Sequence, residues 1–298
     1  MRQTRTGSFP IGFRRGWGDW QRDAAGLCRW VSDNGFAFID TGPLEAAELK
    51  AILDSGVGIG SVDLPNPFSD MLSPDAAKRR DTVQKWIAYV RDVVAVGPNV
   101  FFTVLLPEDP TLEPIENFKY AVESYGQLCS EIESFGARIV IEGWPGPPPH
   151  FAALACTPES YRGIFQEVGS DALGVNFDPS HLIRMGIDSI RFLDEFVDRV
   201  YHVHAKDTEI FDEGLYECGN LQKAVAFTPH GYGAHHWRYT IPGRGVARWD
   251  RIIRTLEQAD YKGREGRLSI ELEDENYNGT QDGEQRGLIA SGDFLIHL

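Results

Sequence analysis

Short apolar or β-branched runs alternate with longer stretches of helical period along the whole chain. Candidate strands cover residues 9–13, 36–40, 58–63, 100–105, 138–142, 173–177, 200–204 and 268–272. Between them, Phe118, Ala121, Val122, Tyr125, Leu128, Cys129 and Ile132 recur at the three-and-four spacing that lines one face of a helix, with Gly136 as its expected stop. Ile190, Leu193, Phe196 and Val197 repeat the pattern, as do Trp249, Ile252, Ile253 and Leu256.

Eight strands in 298 residues give about 37 residues per strand–helix unit, the period of a (β/α)8 barrel. A doubly wound sheet alternates in the same way but often carries a glycine-rich phosphate loop after a strand. Here the glycine run at residues 56–60 (GVGIG) precedes or overlaps a strand and has no acidic residue at the ribose position, so it reads as a tight turn. The expected fold is α/β, a single (β/α)8 barrel occupying residues 1–298 as one domain. Two stretches break the rhythm. Residues 144–150 (WPGPPPH) cannot be helical, because proline fixes φ and removes donors. Residues 205–245, after strand seven, form a long loop rich in Gly, His and aromatics, and loops of that length inside a domain are usually functional.

Composition narrows the class of activity. Hydrophobic residues at 42% and charged residues at 24% exclude disorder and collagen-like repeats. A net charge of −15 repels a nucleic-acid backbone and an anionic bilayer alike. Cys28, Cys129, Cys156 and Cys218 form no C-x-x-C pair and read as reduced, mostly buried thiols. The N-terminal stretch has no apolar core of signal-peptide length, and no run approaches a membrane span. A cytoplasmic, soluble protein is expected, with no nucleic-acid or membrane partner.

In a (β/α)8 barrel, chemistry sits where strands end. Strand five ends in Glu142, strand six at Asp178 and strand seven at His204, and strand eight runs into Glu271. Three neighbouring buried carboxylates are very costly without a compensating charge, and a divalent cation supplies one. The set lacks thiolate, which argues against structural zinc; oxygen with one nitrogen suits Mn²⁺, Mg²⁺ or Co²⁺. Each residue also has a plainer reading. Glu142 could be an exposed strand-end carboxylate, and Asp178 or Ser180 could cap a following helix. His202 shares the strand parity of His204, although His204 lies nearer the rim. Periodicity turns Ser269, Glu271 and Glu273 inward and does not choose between the two glutamates.

The segments IVIEGWPG, GVNFDPSHL, YHVHAKDTEI, WRYTIPGRG and LSIELEDE together resemble the sugar phosphate isomerase/epimerase family, the xylose-isomerase-like barrels. The resemblance is strongest from about Arg138 to Asp274. It implies Glu142, Asp178, His204 and Glu271 as metal ligands, its I-E-x-E-D element selecting Glu271 over Glu273. It implies His181 as a catalytic histidine touching metal or substrate oxygens, and Lys206 and Arg238 as residues near the substrate. Trp144, where many relatives carry I-E-N after the strand, is a further candidate for substrate contact. The implied chemistry is enediolate formation on a keto sugar, Mn²⁺ being the first expectation for the ion, with Glu142 and Glu271 taking and returning the proton. Self-association is common in such barrels and is expected here.

Other outcomes share the same start. From a 3-keto sugar or glycoside the same deprotonation can expel a substituent, which makes a lyase or dehydratase. Phe211, Tyr216, Phe227, His230, Tyr232, His235, His236, Trp237 and Tyr239 in the long loop could form a lid or stacking surface for a glycoside, or pack against a second subunit. Metal-dependent endonucleases of this barrel type are disfavoured by the charge, and a non-catalytic sugar-binding subunit is disfavoured by retention of all four candidate ligands. Arg14–Arg15 is expected near the barrel entrance and Lys78–Arg79–Arg80 on a solvated helix face. Neither has a glycine-rich loop beside it, which favours a non-phosphorylated sugar.

Overall fold

The computed structural model describes residues 5–146, 153–222, 224–261 and 265–298; part of the proline stretch at 144–150 lies outside them. Eight parallel strands close into a barrel: β1 (Ile11–Arg14), β2 (Phe38–Thr41), β3 (Gly58–Asp63), β4 (Val100–Thr103), β5 (Arg138–Glu142), β6 (Leu173–Phe177), β7 (Val200–Ala205) and β10 (Leu268–Ile270). Their order around the wall follows the chain, and β10 pairs with both β7 and β1. Strands β3, β5 and β6 match the sequence reading residue for residue. The others shift at one or both ends by up to two residues, because a strand stops where its neighbour no longer offers backbone partners.

The helices bury one apolar stripe each. In α4 (Pro114–Ile132) that stripe includes Ala121, Tyr125, Leu128, Cys129 and Ile132, and the segment beyond ends at Gly136, whose φ of +71° only glycine adopts readily. In α9 (Trp249–Gln258), Trp249, Ile252, Ile253 and Leu256 are buried, each contributing about 1.5–3 kcal/mol. Among the described residues no helix is long and apolar enough to cross a membrane. The four cysteines are free thiols, three of them buried.

The segment after β7 is not the plain loop expected from the sequence. It forms β8 (Asp207–Ile210), the short helix α8 (Asp212–Cys218) and β9 (Trp237–Thr240), with β8 and β9 paired antiparallel outside the barrel. Asp207 fastens this excursion to the chain that follows. Its carboxylate accepts from the backbone N–H groups of Gly243 and Ala247 and from Trp249 Nε1.

Of the two basic clusters, Arg14 stands near the barrel entrance as expected, whereas the second departs from its solvated face. Arg79 does not lie on a solvated face; it is buried, donates to Ser73 O and Glu123, and stacks over Tyr120. Arg14 is held bidentately by Asp63, at 2.8 and 2.7 Å, which leaves little of its guanidinium for a phosphate.

Candidate active site

Parallel register brings the strand-end residues together. Glu142 pairs with Asn176 across β5 and β6, Asn176 pairs with His202 across β6 and β7, and His204 pairs with Ser269 across β7 and β10. Asn176 Nδ2 donates to Glu142 Oε1 at 2.8 Å. Asp178 follows β6 directly and caps α6 (Pro179–Arg184): its Oδ1 accepts from Ser180 N at 2.8 Å. Its Oδ2 is buried with no hydrogen-bond partner. Cap and candidate ligand are thus the two oxygens of one carboxylate.

His181 stands on the same short helix. Its Nδ1 lies 2.7 Å from Tyr239 Oη. Its Nε2 is buried without a hydrogen-bond partner, 3.3 Å from Asp178 Oδ2 and 3.4 Å from Glu142 Oε2. Glu142, Asp178, His181 and Glu271 each offer a ligand atom within 4.8 Å of the others. Buried polar atoms without partners are rare and expensive, and a cation at this point would satisfy Asp178 Oδ2 and His181 Nε2 together. Carboxylate oxygens with one imidazole nitrogen form a donor set for a hard or borderline divalent ion.

Three of the four expected ligands therefore converge, with His181 in the fourth place. His204 sits at the edge of the cluster: its Nδ1 is 2.6 Å from Glu142 Oε1 and 3.4 Å from Glu271 Oε2. Its other face belongs to a second group, with Asp40 and His202. There Asp40 Oδ2 accepts from His202 Nε2 at 2.8 Å and from Ser269 Oγ, and Asp40 Oδ1 accepts from Ser61 N at 2.7 Å. His204 Nε2 stands 3.5 Å from Asp40 Oδ2, beyond a hydrogen bond but within ion-pair range. Gly60 makes this possible, since a Cβ there would lie 2.2 Å from Asp40 Oδ1.

Lys206 is 1% exposed and tied to carboxylates: Glu271 Oε2, Glu273 Oε2 at 2.9 Å and Asp178 Oδ2 at 3.2 Å. Glu273 is thereby a partner of Lys206 and stands outside the cluster. Burial opposes the Lys206 charge, yet Asp178, Glu271 and Glu273 hold its ammonium well above the usual range. Burial likewise pushes the Glu271 carboxyl up, and Lys206 and His204 outweigh it and hold it well below the carboxylate range. Burial and Glu271 raise Glu142, while His204 and His181 bring it below its ordinary value. The cluster is built to keep both glutamates ionised.

Two expected substrate contacts are engaged with other parts of the protein. Arg238 is held by Glu209 at 2.5 Å and by Glu275; its strand neighbour Tyr239 is the residue that reaches His181. Trp144 is half-buried and packs against the Val100, Phe102, Val104 and Val140 group inside the barrel. Sequence reading missed Asp40 and Asp63, placed Arg14 only near the barrel entrance and Tyr239 only in a lid, because a lone charged residue or tyrosine near a strand end carries no motif. A cleft of about 560 Å³ opens on Glu271 and Arg14 and runs outward past Trp17, Trp20 and Tyr232.

A family profile described as xylose isomerase-like TIM barrel matches residues 28–295. The uncharacterized Bacillus subtilis protein YfiH is 28% identical over 200 residues, covering 65% of this chain and 55% of that protein. Inosose dehydratase of Glaesserella parasuis is 25% identical over 236 residues, 74% of this chain and 72% of its own. The chain spans about half the length of several curated relatives it matches, 55% of YfiH among them. Among solved structures, a xylose isomerase domain protein from Alicyclobacillus acidocaldarius superposes with a TM-score of 0.70 at 16% identity, over 96% of this chain and 98% of that one. D-psicose 3-epimerase from Clostridium cellulolyticum H10 superposes at 0.69 and 14% identity, over 97% and 98%. These likenesses extend over nearly the whole barrel, and the chain belongs to the xylose isomerase-like TIM barrel family.

Proposed function

We propose that this chain is a divalent-metal-dependent sugar isomerase or epimerase acting through an enediolate of a keto sugar. The observation that carries the reading is the convergence of Glu142, Asp178, His181 and Glu271 within 4.8 Å at the mouth of the barrel, two of their ligand atoms without a hydrogen-bond partner. Asp178 and His181, with Glu142, Glu271 and the bordering His204, would hold the ion, for which Mn²⁺ is the first candidate. Once bound, such an ion supplies Lewis-acid polarisation of a substrate carbonyl.

The chain's own residues move the proton. Glu142 and Glu271 come from strands on different sides of the mouth, and one carboxylate oxygen takes the proton beside the carbonyl while the other returns it. Lys206 and Arg14 keep Glu271 ionised and oriented, Lys206 by a direct hydrogen bond and Arg14 Nε from 3.4 Å. Tyr239 fixes the ring of His181, so its Nε2 faces the reacting oxygens.

A dehydratase is the second reading, supported by the relationship to inosose dehydratase of G. parasuis. It shares the deprotonation and differs in expelling a β-hydroxyl afterwards. Incubation with a panel of keto sugars in heavy water, with Mn²⁺ added, distinguishes the two by mass spectrometry. Deuterium gain at constant composition is the expected result. Loss of water from the product selects the dehydratase, and no exchange with any keto sugar overturns both.

A further inference from the structure

We propose that the cleft outside Glu271 is a second-ring subsite, in which Trp17 stacks on the sugar or aryl aglycone of a glycoside whose reacting ring sits at the two glutamates. This rests on the preceding reading for the placement of the reacting ring. It adds the substrate class: a glycoside in place of a free monosaccharide.

Trp17 is 92% exposed, standing between Gly16 and Gly18 on the lip of the cleft. An exposed indole on its own needs no explanation, but this one shares its cleft with a second aromatic side chain, Tyr232. The loop that presents Trp17 is firmly built. Gln21, 3% exposed, accepts from Gly16 N at 2.7 Å through its side chain and from Arg15 Nε at 2.7 Å through its carbonyl. Gln21 Nε2 and Trp20 Nε1 both donate to Glu284 Oε2, at 3.2 and 2.6 Å, which pins the loop to α10 (Gln281–Leu295). A Cβ at Gly18 would stand 2.5 Å from that same oxygen, so the chain beside Trp17 is drawn close to Glu284.

The opposite wall repeats the arrangement. Tyr232 lines the cleft, 44% exposed, with a φ of +56° that non-glycine residues rarely adopt. Its neighbour Gly231 donates to Glu275 Oε2 at 2.7 Å, and Tyr232 O accepts from Tyr239 N at 3.0 Å. Two aromatic side chains thus face one cleft from separately anchored loops. Gln281 and the Thr280 hydroxyl line the same cleft and supply polar groups. The volume of about 560 Å³ lies within the roughly 300–1,000 Å³ of pockets that bury ligands larger than one ring. Apolar ring faces flanked by polar edges are what a pyranose or aryl ring presents.

Isothermal titration of the full chain with 4-nitrophenyl glucoside and with methyl glucoside, both anomers, tests the subsite without requiring turnover. The aryl glycoside is expected to bind about tenfold tighter, the size of an aromatic stacking contact. Trp17→Ala should abolish that advantage and leave methyl glucoside affinity unchanged; being exposed, Trp17 can be removed without touching the core. Tyr232→Phe should keep the advantage. Equal affinities in the wild-type chain, or an advantage that survives Trp17→Ala, overturn the proposal. A change of oligomeric state in Trp17→Ala with ligand affinities unaltered also overturns it, assigning the indole to a contact between copies. Failure of the heavy-water exchange with the aryl preference intact leaves the subsite standing and removes only the assigned chemistry.

Discussion

Strands β5, β6, β7 and β10 carry at their ends, or directly precede, Glu142, Asp178, His204 and Glu271, His204 being the last residue but one of β7, whereas β1, β2 and β3 carry Arg14, Asp40 and Asp63 at or near their ends. Three of the first set, Glu142, Asp178 and Glu271, offer ligand atoms to a common point together with His181, and His204 borders it. The second turns its charges onto the first set and onto itself: Arg14 grips Asp63 and approaches Glu271, and Asp40 binds His202 and Ser269 beneath His204. One half of the barrel presents the candidate ligand groups and the other sets counter-charges and hydrogen bonds against them. Carboxylates this close are tolerable only when counter-charges are built in with them.

The largest effect expected from this division is on turnover. Glu142→Gln or Glu271→Gln keeps size and burial and removes the proton carrier, so kcat should fall about 10²–10⁴-fold with an unchanged circular dichroism spectrum. An active Gln variant at either position would reassign the proton transfer. Next comes Asp40→Asn, on the supporting half. Asp40 touches no candidate substrate position, and groups that orient ligands from behind typically change metal affinity about 10–100-fold. Mn²⁺ titration calorimetry should register a loss of that size, with kcat at saturating Mn²⁺ much less affected. Undiminished affinity would mean that the lower layer is packing alone.

The two halves were unequally legible in the sequence. The half from β5 onward carries side chains whose type is uncommon at the end of an apolar run, and D-P-S-H and H-x-K-D place them at fixed offsets. Arg14, Asp40 and Asp63 are single charged residues, and a lone strand-end charge looks the same whether it faces water or supports a site. Only the closed register brings Asp40 to His202, 162 positions away. The β8–β9 hairpin escaped notice for another reason. Its four-residue strands are separated by the 26 residues from Phe211 to His236, so no tight-turn signal links them. Lys206 was recognisable as a member of its motif, but its three carboxylate partners, from two different segments, were not.

Tyr239→Phe sharpens the comparison from the hairpin side. It removes the oxygen 2.7 Å from His181 Nδ1 and little else. Loss of one ring partner should lower kcat about tenfold and stability by about 1 kcal/mol, read by steady-state kinetics and urea denaturation. An unchanged kcat would separate the hairpin from the site.

The smallest effect comes from a control pair of helix caps. Asp178 and Asp188 both accept backbone N–H bonds two residues on, at 2.8 and 2.9 Å. Asp178 is buried and its second oxygen faces the cluster, whereas Asp188, at the start of α7 (Ser189–Phe196), is exposed and pairs with Arg248. Asp188→Ala should therefore cost only the cap, about 1 kcal/mol, and leave metal affinity and kcat alone. The bond from Arg191 N holds the Asp188 carboxyl below its ordinary range, helped by Ile190 N and Arg248. A depressed folded value means the carboxylate stabilises the fold fully above the unfolded carboxyl's titration range, and loses that contribution as pH falls through the folded value. The gap between wild type and Asp188→Ala in urea denaturation should accordingly be widest near neutrality and narrow as the carboxyl protonates. Asp178→Ala, by contrast, should abolish Mn²⁺ binding at neutral pH. Equal effects at the two caps would show that Asp178 is nothing more than a helix cap.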